Sequence, residues 1–249
     1  MGGEFFYNPV TVSQYGLTVY GRYINGKDTL ENFIKVADKL IEMQDSDGAF
    51  RYPFAFKYYL TDKYMESGWV SGMAQGQAIS VLTRAYYMTS DMKYLESAKR
   101  SLDFLITPIN QGGTMGTLKD LAPLLEDYII FEEYIAEPNS YTLNGFMFTL
   151  IGLYDYTQID NAKYDDSIKM AKEYFFKGLN TLKKILPLYD IGGITTYDLG
   201  YITYDKKPLV NISYHAVHIQ LLHGLYSITL DDYFHEYSLK WASYVEFNE

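Results

Sequence analysis

The densest cluster of proton-transferring side chains is Glu132-Glu133-Tyr134, at the head of the run Phe131-Glu132-Glu133-Tyr134-Ile135-Ala136-Glu137-Pro138-Asn139-Ser140-Tyr141-Thr142-Leu143-Asn144-Gly145-Phe146. Side by side, a carboxyl and a phenol can take and return protons on a bound molecule. A free phenol titrates near 10, so tyrosinate needs local help to act as a base, whereas neutral Tyr is a natural acid. A Glu kept out of water holds its proton, and can then donate a hydrogen bond or give the proton up. The plainer alternative is that Glu132 and Glu133 are solvated loop charges, which the local sequence alone slightly favours.

Two further constellations could bind metal. His215 and His218 lie three apart on a predicted helix, a spacing able to hold an ion. No obvious third ligand accompanies them, so packing or hydrogen bonding to substrate is expected in place of zinc. Asp45-Ser46-Asp47-Gly48 opens like a calcium loop, but the later acidic ligands and the Glu of position 12 are missing. A plain turn is expected there. The chain has no Cys, which excludes disulfides, thiolate nucleophiles and Cys-bound zinc. It also has no phosphate-cradling Gly loop, dinucleotide fingerprint or serine elbow. No metal and no cofactor is expected.

Composition narrows the partners. A formal charge of -10 and a pI near 4.9 argue against nucleic acid, whose phosphates need clustered Lys and Arg. The same balance counts against a heavily sulfated polyanion unless a cleft is locally basic. The 27 Tyr are mostly expected as scaffold, with a minority forming a sugar-binding wall. No run approaches transmembrane length and no secretory leader opens the chain, which leaves cellular location undetermined, cytoplasmic by default.

Four helical hairpins must position these groups. Amphipathic stretches run over about Asp28–Gln44, Lys93–Ile106, Asp165–Leu186 and Asp231–Val245. Asp28 is expected to cap the first, with Glu31 as its reciprocal partner, and Asp91 to start the second. Each follows a helix expected to be apolar nearly all round, over about Pro9–Tyr23, Gly72–Met88, Tyr141–Tyr156 and Tyr214–Ile228. Three of these first helices end alike, in Tyr87 to Asp91, Tyr156 to Asp160 and Tyr226 to Asp231, with the final Asp expected to cap the partner helix. Such a repeat, at about 60 to 70 residues, reads as inner and outer helix layers. The fold expected is all-α: one domain over 1–249, an incomplete (α/α) toroid with short β pieces in its connections. Those β pieces are a strand after the 45–48 turn, Tyr128–Phe131 and Thr195–Tyr197.

Several linked motifs resemble the C-terminal domain of the D-glucuronyl C5-epimerase family. They are Met73-Ala74-Gln75-Gly76-Gln77-Ala78-Ile79-Ser80, Glu132-Glu133-Tyr134, Leu143-Asn144-Gly145-Phe146-Met147, Leu150-Ile151-Gly152-Leu153-Tyr154-Asp155, Leu186-Pro187-Leu188-Tyr189-Asp190, Thr196-Tyr197-Asp198-Leu199 and Tyr214-His215-x-x-His218. They occur in the family's order from about Asp45 onward. The resemblance implies a toroid enzyme that interconverts D-glucuronate and L-iduronate within heparosan- or heparan-type chains. It implies Glu133, Tyr134, Tyr197 and Tyr214 as the catalytic group. Glu133 and Tyr214 are expected to exchange protons on opposite faces, while Tyr134 and Tyr197 orient the uronate. Trp69, Gln75, Asn144 and His215 are expected sugar contacts, and a uronate-containing polysaccharide is the expected partner, with homodimerisation left open.

The sequence also departs from the family. An Arg expected soon after Tyr-Asp-Leu is replaced by Gly200-Tyr201, and one expected before the last Tyr by Asn211-Ile212-Ser213. The family's N-terminal β-rich domain is expected to be absent. Arg is the natural bidentate partner of carboxylate and sulfate, so a glycan other than heparan becomes an alternative. The rival readings are a uronate lyase, a glycoside hydrolase, for which Glu133 has no clear second carboxylate, and a non-catalytic glycan-binding domain.

Overall fold

The computed structural model describes residues 5–245, and its regular structure is almost entirely helical. Helices α1 (Pro9–Ile24) and α2 (Leu30–Met43) form the first hairpin. A two-residue ribbon, β1 (Phe56–Lys57) with β2 (Tyr64–Met65), leads into the second, α3 (Gly72–Thr89) and α4 (Met92–Leu105). An antiparallel pair, β3 (Met115–Thr117) and β4 (Ile129–Phe131), precedes the third, α5 (Leu143–Thr157) and α6 (Asp165–Ile185). The one-turn α7 (Gly200–Thr203) separates it from the fourth, α8 (Ile212–Thr229) and α9 (Asp232–Ala242). Among the first helices, α1 packs on α3, α3 on α5 and α5 on α8. Each also packs on its hairpin partner, α2, α4, α6 or α9.

Local chemistry sets the boundaries. Asn8 caps α1 by accepting from the Thr11 amide, with Pro9 at the first helical position, where its missing N–H costs nothing. Asp91 and Asp231 cap α4 and α9 as expected. Thr29, not Asp28, caps α2; Asp28 instead accepts from the Thr29 amide and Asn32, and Glu31 pairs with Lys35. Asp160 is likewise displaced, since Asn161 accepts the capping bond from Lys163. The physical reason lies one residue earlier. At the ends of α3 and α8 the chain turns through the left-handed region at Ser90 (φ 57°) and Leu230 (φ 55°), whereas α5 ends at Gln158 in a right-handed conformation. Leu230 adopts that conformation while 75% exposed, so nothing packs to offset its strain. Leu230→Gly is expected to stabilise the protein by about 1 kcal/mol, read as a raised urea midpoint.

Burial separates the first helices into two kinds. In α3, 13 of 18 residues are buried, and in α5, 10 of 15. In α1 only 4 of 16 are buried, and in α8 only 5 of 18, so these two are not inner helices all round. They stand at the ends of the row and have a neighbour on one flank only. The strand expected after the 45–48 turn is reduced to single bridges, Gln44 with Phe50 and Tyr52 with Trp69, and 195–197 likewise makes only bridges.

The α3–α5 crossing brings the two backbones into contact. A Cβ on Gly76 would lie 2.5 Å from the Thr149 Cα, and one on Gly152 would lie 2.1 Å from the Gly76 carbonyl oxygen. The Thr149 hydroxyl bridges the Gly72 and Gly145 carbonyls at 3.0 and 2.9 Å. Toward the C-terminal ends of the same helices, Arg84 grips both oxygens of Asp155, which also accepts from Ser80. Among the described residues no helix is long and apolar enough to cross a membrane.

Candidate active site

The strand β4 carries Glu132 and Glu133 to the N-terminal ends of α3 and α5. The Glu132 amide donates to the Thr114 carbonyl (3.0 Å), and the Glu132 carbonyl accepts from the Gly72 amide (2.7 Å). Glu133 then lies directly on α5. A Cβ at Gly145 would sit 2.3 Å from the Glu133 Oε2, so only glycine leaves room for the carboxyl. Tyr197 arrives from the connection after α6, held by its amide to the Leu209 carbonyl (2.7 Å) and its carbonyl to the Leu143 amide (3.1 Å).

These elements bring Glu133, Tyr134, Tyr197 and Tyr214 together. The Tyr197 hydroxyl donates to the Glu133 Oε1 at 3.2 Å and lies 3.4 Å from the Tyr134 hydroxyl. Tyr214, on the first turn of α8, packs its ring against Tyr197 at 4.3 Å between centroids, and is 38% exposed. The other three are mostly out of water. Glu132 and Glu133 are buried carboxyls, not solvated loop charges.

Burial dominates the electrostatics. Desolvation pushes the Glu133 carboxyl up to about 7 against the lowering effect of hydrogen bonds from Tyr134 and Tyr197, with the charge of Asp198 adding to the rise. Desolvation pushes Glu132 up to about 8, and both its oxygens lack hydrogen-bond partners among the described residues. Burial, then the Glu133 charge, raises Tyr134 and Tyr197 far above the ordinary phenol range, so both are neutral hydroxyls.

The two raised carboxyls have a consequence for stability. An unfolded Glu loses its proton near 4.5, while these keep theirs to about 7 and 8. The native state therefore binds more protons over that interval, and its stability, full below 4.5, falls as pH rises through it. Glu132→Gln is expected to flatten this alkaline decline in Tm between pH 5 and 8. An unchanged slope would refute the burial of a titrating Glu132.

Further aromatic side chains pack around the group. Tyr59 hydrogen-bonds Asp198 and sets its ring 5.6 Å from Tyr134 and 6.0 Å from Tyr197. Asp198 is buried, raised by desolvation, and also accepts from the Gly200 amide. Phe56 stacks on Tyr134 at 5.6 Å. Sequence reasoning missed Tyr59 and Phe56; the aromatic density of residues 50–69 was their signal, as the 196–199 motif was for Asp198.

The expected sugar contacts divide. Trp69 stacks on Tyr52 at 3.6 Å, lies 6.1 Å from Tyr134, and lines a cavity of about 420 Å³ with Tyr58, Tyr64 and Tyr204. Asn144 adjoins the Gly145–Glu133 contact, and its buried Oδ1 has no partner among the described residues. Gln75 is fully buried and spends its amide on the Phe50 amide (3.0 Å) and the Gly48 carbonyl (3.2 Å), which makes it scaffold. His215 is scaffold too. Its Nδ1 faces the Thr195 amide (3.2 Å) and hydroxyl (3.0 Å), and its Nε2 the Trp241 carbonyl (3.0 Å). His218 shares that hydroxyl at 2.8 Å, so the pair serves packing. The 45–48 segment is a turn, closed by Arg51 on Asp45 and Asp47 at 2.8 and 2.6 Å.

Solved structures share this fold. The chain superposes on the Lin0763 protein of Listeria innocua with a TM-score of 0.56, covering 96% of this chain and 58% of that one at 14% identity. Polysaccharide Lyase BACCELL_00875 gives 0.57, over 96% and 62%, also at 14% identity. At that identity the likeness defines a helical fold class and no more. The sequence narrows it: residues 44–243 match the D-glucuronyl C5-epimerase C-terminus family, and the chain belongs to that family. The D-glucuronyl C5-epimerase of Caenorhabditis elegans is 35% identical over 219 residues, 85% of this chain and 34% of that protein. The uncharacterized protein MJ1128 of Methanocaldococcus jannaschii is 31% identical over 227 residues, 88% of this chain and 67% of that one. The chain thus spans about a third of the length of the Caenorhabditis elegans relative.

Proposed function

We propose that the protein is a uronyl C5-epimerase acting on uronate residues within a polysaccharide, interconverting D-glucuronate and L-iduronate or another C5 pair. In this reading the chain is one catalytic domain, and its four hairpins are segments of an incomplete (α/α) toroid. The observation that carries it is the Glu133 carboxyl, pressed on Gly145, raised to about 7 and hydrogen-bonded by the Tyr197 hydroxyl, which in turn adjoins that of Tyr134.

The proton at C5 is weakly acidic because it lies next to a carboxylate that is already negative. Removing it places an electron pair in an enolate-like C5–C6 system, which needs directed donors in a dry site. Neutral Tyr134 supplies such a donor, and Tyr197 supplies a second once Glu133 takes up the C5 proton and no longer needs the Tyr197 hydrogen. Glu133, ionised in part near neutrality, takes the C5 proton on one face, and the Tyr214 hydroxyl returns one on the other. Tyr214 reaches solvent, which lets the two groups reset by proton exchange.

The two missing Arg positions bear on the glycan. The Gly200 amide is committed to Asp198, and Asn211 caps α8. Neither offers a guanidinium to sulfate, which supports an unsulfated uronate polymer.

The test is incubation with heparosan and other glucuronate-containing polysaccharides in deuterated water, with C5 read by NMR. Deuterium at C5 of an intact chain is expected. A new unsaturated product would make the protein a lyase, shorter saturated chains a hydrolase, and no exchange on any of them would overturn the reading.

A further inference from the structure

A second cavity lies at the other end of the inner helices. It has a volume of about 430 Å³ and is walled by Tyr20, Thr83, Tyr86, Tyr87, Gln158 and Asp160, within the range of roughly 300–1,000 Å³ usual for small-molecule sites. It opens beside the C-terminal ends of α3 and α5. Gln158 stands 13 residues beyond Gly145, which puts the cavity about 20 Å along the helix from the Glu133 contact. The proposed proton chemistry uses none of its residues.

Its walls are held in place before any ligand arrives. The Arg84 guanidinium lies over the Tyr20 ring at 5.6 Å, and Asn161 donates to the Tyr86 hydroxyl at 3.0 Å. Tyr87 is 79% exposed and offers an open aromatic face at the rim. Thr83, which lines the cavity, is buried, and its hydroxyl has no hydrogen-bond partner among the described residues. A buried hydroxyl left unpaired is costly, and a ligand bearing its own hydroxyls would satisfy it. Rigid aromatic walls with a few polar groups cut the entropy lost on binding.

Charge selects the ligand. Arg84 is the cavity's basic group, and both its terminal nitrogens are committed to Asp155. With Asp160 also on the wall, the site balances at one net negative charge. An acidic sugar is therefore disfavoured, while a neutral pyranose presents an apolar ring face to Tyr87 and hydroxyls to Thr83 and Gln158. We infer that this cavity is a second saccharide-binding site, which takes an uncharged pyranose or N-acetylhexosamine unit remote from the Glu133 site. The inference stands whether or not the protein epimerises uronates.

Titrating the ¹⁵N-labelled protein with N-acetylglucosamine, and separately with D-glucuronate, tests it. N-acetylglucosamine is expected to shift the amides of Thr83, Tyr86, Tyr87 and Gln158. Tyr87→Ala, at an exposed position, and Thr83→Val, which keeps the side-chain shape, are each expected to weaken binding about fivefold. Glu133→Gln is expected to leave it unchanged. Shifts confined to the Glu133 end, no shifts, affinities untouched by Tyr87→Ala and Thr83→Val, or stronger shifts there from D-glucuronate would each overturn the assignment.

Discussion

Glu133→Gln is expected to lower C5 deuterium incorporation by about 10² to 10⁴-fold, the share a positioned acid–base group contributes to a rate, while the fold persists. The amide is nearly isosteric with the carboxyl. It can still accept from Tyr197 and still lie against Gly145, so the aromatic cage is undisturbed. What it lacks is a basic oxygen that titrates near neutrality. Because the native carboxyl is raised by burial, removing it is expected to hold or increase Tm at pH 8. That combination separates a chemical role from a structural one. Tyr214→Phe removes the opposite proton donor and is expected to abolish inversion to a similar extent, with an unchanged melting profile. Full exchange in either variant would sink the pairing of Glu133 with Tyr214.

The second large effect concerns the frame. Gly152→Val is expected to cost about 3 kcal/mol or more, at the upper end of what overpacking does in a tight core. The group it would strike is the Gly76 carbonyl, part of a backbone and not the end of a flexible side chain. No rotamer change relieves a clash of that kind, so α3 and α5 must move apart. For a chain of 249 residues this is a fall in Tm of roughly 6–12 °C. The Glu133 site should fail with it, since Gly72 and Gly145, which seat Glu132 and Glu133, lie on the same two helices. Calorimetry on Gly152→Val would read both the loss and its cooperativity. An unchanged Tm would show that the crossing is looser than described.

Much of this frame was legible in the sequence, because the second helix of each hairpin advertises itself by a polar stripe and, in α4 and α9, by a capping Asp. The α2, α4, α6 and α9 stretches came within a few residues of their observed spans. Which first helices are truly internal was not legible. α8 is nearly as apolar as α5, yet its burial depends on having a neighbour on both flanks, a property of the row and not of the segment. Gln75 misled for a related reason: a polar residue in an apolar helix looks like a ligand group until the 48–50 turn folds onto it. The four candidate residues were proposed from linked motifs and not from spacing, since Tyr197 stands 64 positions from the carboxyl it touches. Tyr59 and Asp198, 139 positions apart, meet only in the folded chain.

The histidine pair behind the site has a consequence for acid tolerance. The Trp241 carbonyl can only accept, so His215 carries its proton on Nε2 and presents a bare Nδ1 to the Thr195 amide. His218 beside it is pushed down to about 3, by burial and then by His215, so the folded state refuses a proton that the unfolded chain accepts near 6.5. Stability from this group is complete above 6.5 and drains away as pH falls, the reverse of the slope set by Glu132 and Glu133. Thr195 lies two residues before Tyr197, and His215 one after Tyr214. Acidification should therefore loosen the register between those two phenols early, giving reversible inactivation at low pH ahead of global melting.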